Sequence, residues 1–148
     1  MKTIRSTHNI GTSLAFQALD AANDGITIVD ATDENMPLIY INRKFEEMTG
    51  YSVHEVMGRN CRFLQADAKQ PQECLAIRTA IANQQPCRVN LLNYRKDGTT
   101  FWNELSLAPI FDANNKLTHY VGVQKDITKQ IKYRKHLEDL AKADTVTD

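Results

Sequence analysis

The chain lacks the residue patterns that announce metal, disulfide and nucleotide chemistry. Its 3 cysteines, Cys61, Cys74 and Cys87, form no CxxC pair, and an odd, scattered set suits neither a disulfide framework nor a four-ligand zinc site. They are expected to be reduced thiols. The 4 histidines, His8, His54, His119 and His136, stand far apart with no HExxH, so no metal site is expected. None of the 6 glycines belongs to a GxGxxG fingerprint or a P-loop, which removes dinucleotide binding and nucleotide hydrolysis by those routes. Neither sign of charge is in excess. With 18 Lys and Arg against 18 Asp and Glu there is no basic face, and no nucleic-acid partner is expected. The longest apolar stretches, such as Leu38-Ile39-Tyr40-Ile41, are strand-sized and far short of a bilayer span, so no membrane segment is expected. The start, Met1 to His8, has no apolar core of a secretory signal, which predicts a cytoplasmic protein.

What is present is an ordinary globular composition, 42% hydrophobic and 24% charged over 148 residues, enough for one domain that removes roughly two-thirds of its unfolded surface from water. Thr12-Ser13 are placed to cap a helix from Leu14 to about Ala22, with Leu14, Ala15, Ala18, Leu19 and Ala22 on one apolar face. The β-branched run Ile26 to Val29 and the run Leu38 to Asn42 flank a turn at Asp33-Glu34-Asn35-Met36-Pro37 and predict an antiparallel hairpin. Short helices follow at Lys44 to Met48 and from Ser52 through Val56. A longer one has Pro71 in its first turn, runs to about Asn83 and turns Cys74, Ile77, Ala80 and Ile81 to one side. From Cys87 the period changes to two. Cys87 to Arg95, Thr100 to Ile110 and Leu117 to Lys125 predict a three-stranded meander. The order predicts an α+β fold, a five-stranded antiparallel sheet with helices on one face. A charged helix from Ile127 to Ala143, with Tyr133, Leu137 and Leu140 as a sparse apolar seam, is expected to leave the domain. The expected boundaries are a flanking helix within 1–23, a core at 24–126 and a linker helix at 127–148.

Turn length decides which side chains of the first meander hairpin converge. A three-residue loop Lys96-Asp97-Gly98 sets Arg95 against Thr99 and Asn93 against Phe101, so that Asn93 and Asn103 share a face; a two-residue Asp97-Gly98 loop would separate them. On the convergent register Tyr120, Gly122 and Gln124 can join the same face. Three carboxamides in an apolar wall both donate and accept, which suits a flat heterocycle such as a flavin, although any one of them is ordinarily spent on nearby backbone. Arg62 and Arg78 are the guanidinium forks available for a phosphate, and either alone reads as a solvated cation. Cys61 taken alone reads as a small buried hydrophobe.

The string Gly58-Arg59-Asn60-Cys61-Arg62-Phe63-Leu64-Gln65 resembles the signature of LOV domains, the flavin-binding blue-light sensors of the PAS superfamily. The resemblance continues through Ile77-Arg78, Asn93 to Gly98, Phe101 to Leu105 and Gly122 to Thr128, in order, over about residues 24–128. It implies a PAS/LOV fold holding non-covalent FMN, with Cys61 as the thiol that bonds reversibly to flavin C4a under blue light. It also implies that Arg62 and Arg78 grip the phosphate, that Asn60 and Gln65 face the ribityl group, and that Asn93 and Asn103 read the pyrimidine edge. Gln124 resembles the amide that reorients when flavin N5 changes from acceptor to donor, while Thr27, Val29, Leu64, Ile77, Leu91, Leu105 and Tyr120 fall at pocket-lining positions. Cys74 stands where the family often has an aliphatic residue, and Lys69 is the third cation within reach of the phosphate. No extra loop of the kind that grips FAD is present, which favours FMN.

The same resemblance implies a sensor rather than an enzyme, with the signal leaving through Lys125-Asp126-Ile127-Thr128 toward an effector such as a diguanylate cyclase or histidine kinase. A homodimer through the flanking helices and the outer sheet face is the other expected output. The alternative is a flavin- or ligand-binding PAS redox sensor without photochemistry, which does not need Cys61.

Overall fold

The two β-branched runs near the start and the meander near the end meet in one sheet. The computed structural model describes residues 11–146. The amino-terminal stretch read above for a secretory signal lies outside the described residues, as do His8 and the last two positions. Strand β1 (Gly25–Asp30) pairs antiparallel with β2 (Leu38–Ile41), and β3 (Cys87–Tyr94), β4 (Thr100–Phe111) and β5 (Leu117–Asp126) form the meander. The sheet order is β2-β1-β5-β4-β3, so the last strand enters the centre beside the first, with Thr27 opposite Gly122. Local hairpins thus build the two halves, and the β1–β5 pairing joins them.

The helices are α1 (Thr12–Ala21), α2 (Arg43–Thr49), α3 (Val53–Val56), α4 (Pro71–Ala82) and α5 (Thr128–Val146), with a 3-10 helix at Cys61–Gln65. The core between sheet and helices is centred on Leu38, Ile41, Phe45, Val56 and Leu64, with Phe45 and Val56 fully enclosed. One carboxamide organises this end. Asn42 caps α2 by accepting from the amides of Phe45 (3.0 Å) and Ile26 (2.8 Å), and it donates to the carbonyls of Leu19 (2.7 Å) and Asp24 (3.1 Å). Its bonds therefore tie α1, β1 and α2 together. At the opposite edge the side chain of Gln70 pairs with β3 as a peptide would, donating to the Leu92 carbonyl at 3.0 Å and accepting from its amide at 2.7 Å. That covers part of an exposed strand edge.

Helix α1 departs from expectation. Gly11, not Thr12 or Ser13, is its cap residue, and none of its residues is buried. The apolar face read from Leu14 to Ala22 is only partly covered among the described residues: Ala15, Leu19 and Ala22 are half-buried, while Leu14 is 52% exposed. The helix is held instead by its carboxyl end, through Asn42 and through Asp20, which accepts from the Arg43 amide at 3.0 Å. Phe16 adds a ring contact with Tyr40 at 5.6 Å.

The joint between β5 and α5 is built from five residues. Asp126 accepts from the amide and hydroxyl of Thr128 (3.0 and 2.6 Å) and pairs with Arg95 at 3.1 Å. Arg95 also donates to the Met48 carbonyl at 3.0 Å, while the Thr128 hydroxyl accepts from the Trp102 amide at 2.8 Å. The Asp126→Ala variant should loosen this joint and spare the sheet. The amides at the start of α5 should exchange with solvent about fivefold faster, as expected for a lost cap, with β1–β4 amides unchanged, and residue-resolved hydrogen exchange reads this directly.

Candidate functional site

The 3-10 helix presents Cys61 because the backbone before it is fixed at both ends. Gly58 takes a positive φ of 82° that frees the turn, and Asn60 accepts from the Arg62 amide at 2.9 Å while donating to the Asn35 carbonyl at 2.7 Å. Leu64 then anchors the helix in the core. Cys61 faces a cavity of about 260 Å³ between this helix, α4 and the inner face of the sheet. Burial pushes its thiol up to about 12, so it is a neutral S–H at ordinary pH.

Of the candidate site residues named from the sequence, all but Lys69 line this cavity. The hairpin adopts the three-residue loop, with Gly98 at φ 89°, Asn93 opposite Phe101 and the Arg95 amide bonded to the Thr99 carbonyl at 2.7 Å. Asn93 and Asn103 are therefore on one face, each 1% exposed, and Asn103 donates to Asn93 at 2.9 Å. Gln124, also buried, donates through Nε2 to the Thr27 hydroxyl at 3.0 Å. Oδ1 of Asn103 and Oε1 of Gln124 are sealed from solvent without a hydrogen-bond partner among the described residues. A buried polar group left unpaired costs about 1–3 kcal/mol, so two of them on one cavity wall form a recognition surface for a ligand that donates to them. With an accepting oxygen and a donating NH2 on each amide, the carboxamides fit the mixed N–H and C=O edge of a flavin ring.

Backbone shape fits as well. At Gly122 an added Cβ would lie 2.6 Å from the Thr27 hydroxyl and 3.0 Å from Gln124 Nε2, so only glycine leaves this stretch of wall open. The Gly122→Ala variant should push Thr27 and Gln124 into the cavity and weaken retention of a planar ligand by about tenfold or more, measured by the chromophore content of the purified protein.

At the rim the arrangement is polar. Arg62 and Arg78 are exposed, and neither forms an ion pair among the described residues, which leaves both forks available to an anion. Lys69 does not line the cavity. Glu34 and Met36 do, and sequence reading missed both because it treated their segment only as a turn. Met36 has a positive φ of 48°, an unusual conformation for a non-glycine residue. On α4, Cys74 donates to Gln65 Oε1 at 3.2 Å, so this cysteine packs against the site and touches a polar partner.

Comparison with known proteins decides the family. The model of the PAS domain family matches residues 23–129. The solved LOV domain of the Erythrobacter litoralis EL346 blue-light activated histidine kinase is 42% identical at a TM-score of 0.69, and the match takes in 72% of the present sequence and 98% of that domain. The chain is a LOV domain of the PAS family. Its fold also matches an RNA-binding light-oxygen-voltage receptor, 40% identical over 95% of this LOV domain and 39% of that receptor, at a TM-score of 0.83. Among curated proteins, this LOV domain is 45% identical to the bacterioopsin transcriptional activator of Halobacterium salinarum and 43% identical to a blue-light photoreceptor of Listeria innocua, each over 122 residues. Those alignments use 82% of the present sequence but only 18% and 48% of the two relatives, so the domain spans less than half the length of either. Among the described residues of the LOV domain, no helix is long and apolar enough to cross a membrane.

Proposed function

We propose that this LOV domain is a blue-light sensor that binds FMN and reports its photochemistry through the C-terminal helix. The observation that carries the reading is the combination in one cavity of a half-buried thiol held neutral, two carboxamide oxygens without a partner and a rim with two arginines that form no ion pair among the described residues. Asn93 and Asn103 read the ring's pyrimidine edge, and Arg62 and Arg78 hold the phosphate, which favours FMN over riboflavin. Asn60 and Gln65 face the ribityl group. Thr27, Val29, Leu64, Ile77, Leu91, Leu105 and Tyr120 exclude water from the ring. When bound, the flavin would supply a ring that blue light excites and that can then react reversibly with the Cys61 thiol.

The protein's own residues do the rest. Cys61 holds a neutral S–H, and the proton its sulfur gives up would pass to the ring edge that Gln124 faces. Gln124 offers the ring edge either Nε2 or Oε1, as that edge requires, and lies two residues before Asp126 on the same strand. A turned amide there biases the joint that holds α5. Tyr133, Leu137 and Leu140 on that helix, 66%, 49% and 51% exposed, form the seam for a second copy, helped by the outer sheet face and α1. Histidine kinases and a transcriptional activator among the relatives support an effector fused beyond the sensor. The domain itself is the sensing part, and any enzymatic output belongs to that effector.

The test is the identity of the chromophore. Denaturing the purified protein and separating the released pigment should give FMN in near-stoichiometric amount. Predominantly FAD or riboflavin would remove the phosphate roles of Arg62 and Arg78, and no flavin after reconstitution with FMN would remove the reading.

A further inference from the structure

Among the described residues the Gln124 side chain has a single hydrogen-bond partner, the Thr27 hydroxyl 3.0 Å from Nε2 on the neighbouring strand. Both residues are nearly sealed, at 2% exposure for Thr27 and 3% for Gln124. As a donor the hydroxyl reaches the carbonyl of Gly122, at a long 3.5 Å. A carboxamide donates at one end and accepts at the other, whereas a hydroxyl does both, with a proton that rotates to suit. Thr27 can therefore match either end of the amide. In the arrangement seen here it accepts from Nε2. After a half-turn of the amide it can swing its proton from the Gly122 carbonyl to Oε1. Valine, close to threonine in shape, would match neither end and would leave one end of a buried amide unpaired in both orientations.

We propose that Thr27 is the positioning residue that lets Gln124 hold either amide orientation inside a sealed site, its hydroxyl exchanging acceptor for donor as the amide turns. This rests on the sensor reading above and deepens it. Because Thr27 satisfies the far end of the amide in both orientations, the ring edge decides which orientation is populated. An accepting edge, in the dark, takes Nε2 and turns Oε1 to Thr27; a donating edge, in the light, takes Oε1 and restores the bond from Nε2 to Thr27.

A double-mutant cycle on the protein as purified, kept in the dark, tests the pairing. The Thr27→Val variant should lower Tm by about 3 °C with Gln124 present, and by close to nothing in a Gln124→Leu background, while Thr27→Ser should restore most of the loss. Equal losses in both backgrounds would overturn the proposal, because the hydroxyl would then act without the amide. Light-minus-dark infrared spectra test the exchange of roles. The carbonyl stretch of the Gln124 amide is assigned by its disappearance in Gln124→Leu. Thr27→Val strips the dark-state bond to this carbonyl and should widen its light-induced shift, whereas Thr27→Ser should reproduce the wild-type shift. A shift in Thr27→Val identical to wild type would overturn the exchange. A wild-type protein with no visible band would overturn the sensor reading instead, and the Tm cycle would still decide whether Thr27 and Gln124 are coupled.

Discussion

The Cys61→Ala variant is expected to stay yellow in the light. Removing one sulfur from the cavity wall takes away no hydrogen bond, charge or ring contact that holds the ligand, so flavin retention in the dark should fall within about threefold of wild type. Blue illumination should then leave the visible band in place, because no other thiol stands where Cys61 does on the 3-10 helix; Cys74 lies on α4, donating to Gln65. Absorption spectra before and during illumination decide the matter, and bleaching that survives the substitution would assign the photochemistry elsewhere. The neutral thiol adds a pH signature. With its ionisation pushed from 9.0 up to about 12 by burial, Cys61 keeps its proton across the working range. Bleaching by the wild-type protein should therefore be flat between about pH 6 and pH 9, whereas a reacting thiolate would speed up roughly tenfold per pH unit below its pKa. The same shift has a stability consequence. Above pH 9.0 the unfolded protein releases a proton that the native state retains, so stability falls as pH rises from 9.0 towards 12.

Asn103→Leu should produce the largest loss of ligand. Leucine shares the branched heavy-atom skeleton of asparagine and suits the apolar wall around it, so the sheet should form. Two things disappear together. The cavity loses the Asn103 Oδ1 acceptor, and Asn93 Oδ1 loses the donor 2.9 Å away and becomes a buried orphan of its own. Burying a donor of the ligand without the Oδ1 acceptor costs about 2 kcal/mol, so FMN affinity should fall roughly thirtyfold, read by equilibrium titration of flavin fluorescence. Affinity within about threefold of wild type would show that the carboxamide pair does not read the ring.

The register of the β3–β4 hairpin was legible because one local decision sets it: with Gly98 left-handed, Asn93 falls opposite Phe101 and the carboxamides converge. The cavity-lining set was legible through the resemblance, since Asn60 to Gln65 and Gly122 to Thr128 are continuous strings. What stayed hidden depends on contacts distant in sequence. The burial of α1 could not be judged from its own periodicity, because an apolar face needs a partner surface, and the residues that hold this helix are Asn42 and the Arg43 amide. Gln70 covering β3 joins positions 22 residues apart, and nothing in the local pattern marks it. Glu34 and Met36 were read as a turn, which they are; their place at the rim follows from the Asn60–Asn35 bond that seats the turn beside the 3-10 helix. The Thr27–Gln124 bond spans 97 positions and comes from the β1–β5 pairing, which no hairpin rule supplies.

The most direct measurement is the visible absorption spectrum of the purified wild-type protein in the dark, after blue light, and again as it stands in the dark. The account predicts a structured flavin band that disappears on illumination and returns fully without added reagent. A flavin band that illumination leaves untouched would contradict it, leaving a PAS domain that holds flavin without using Cys61.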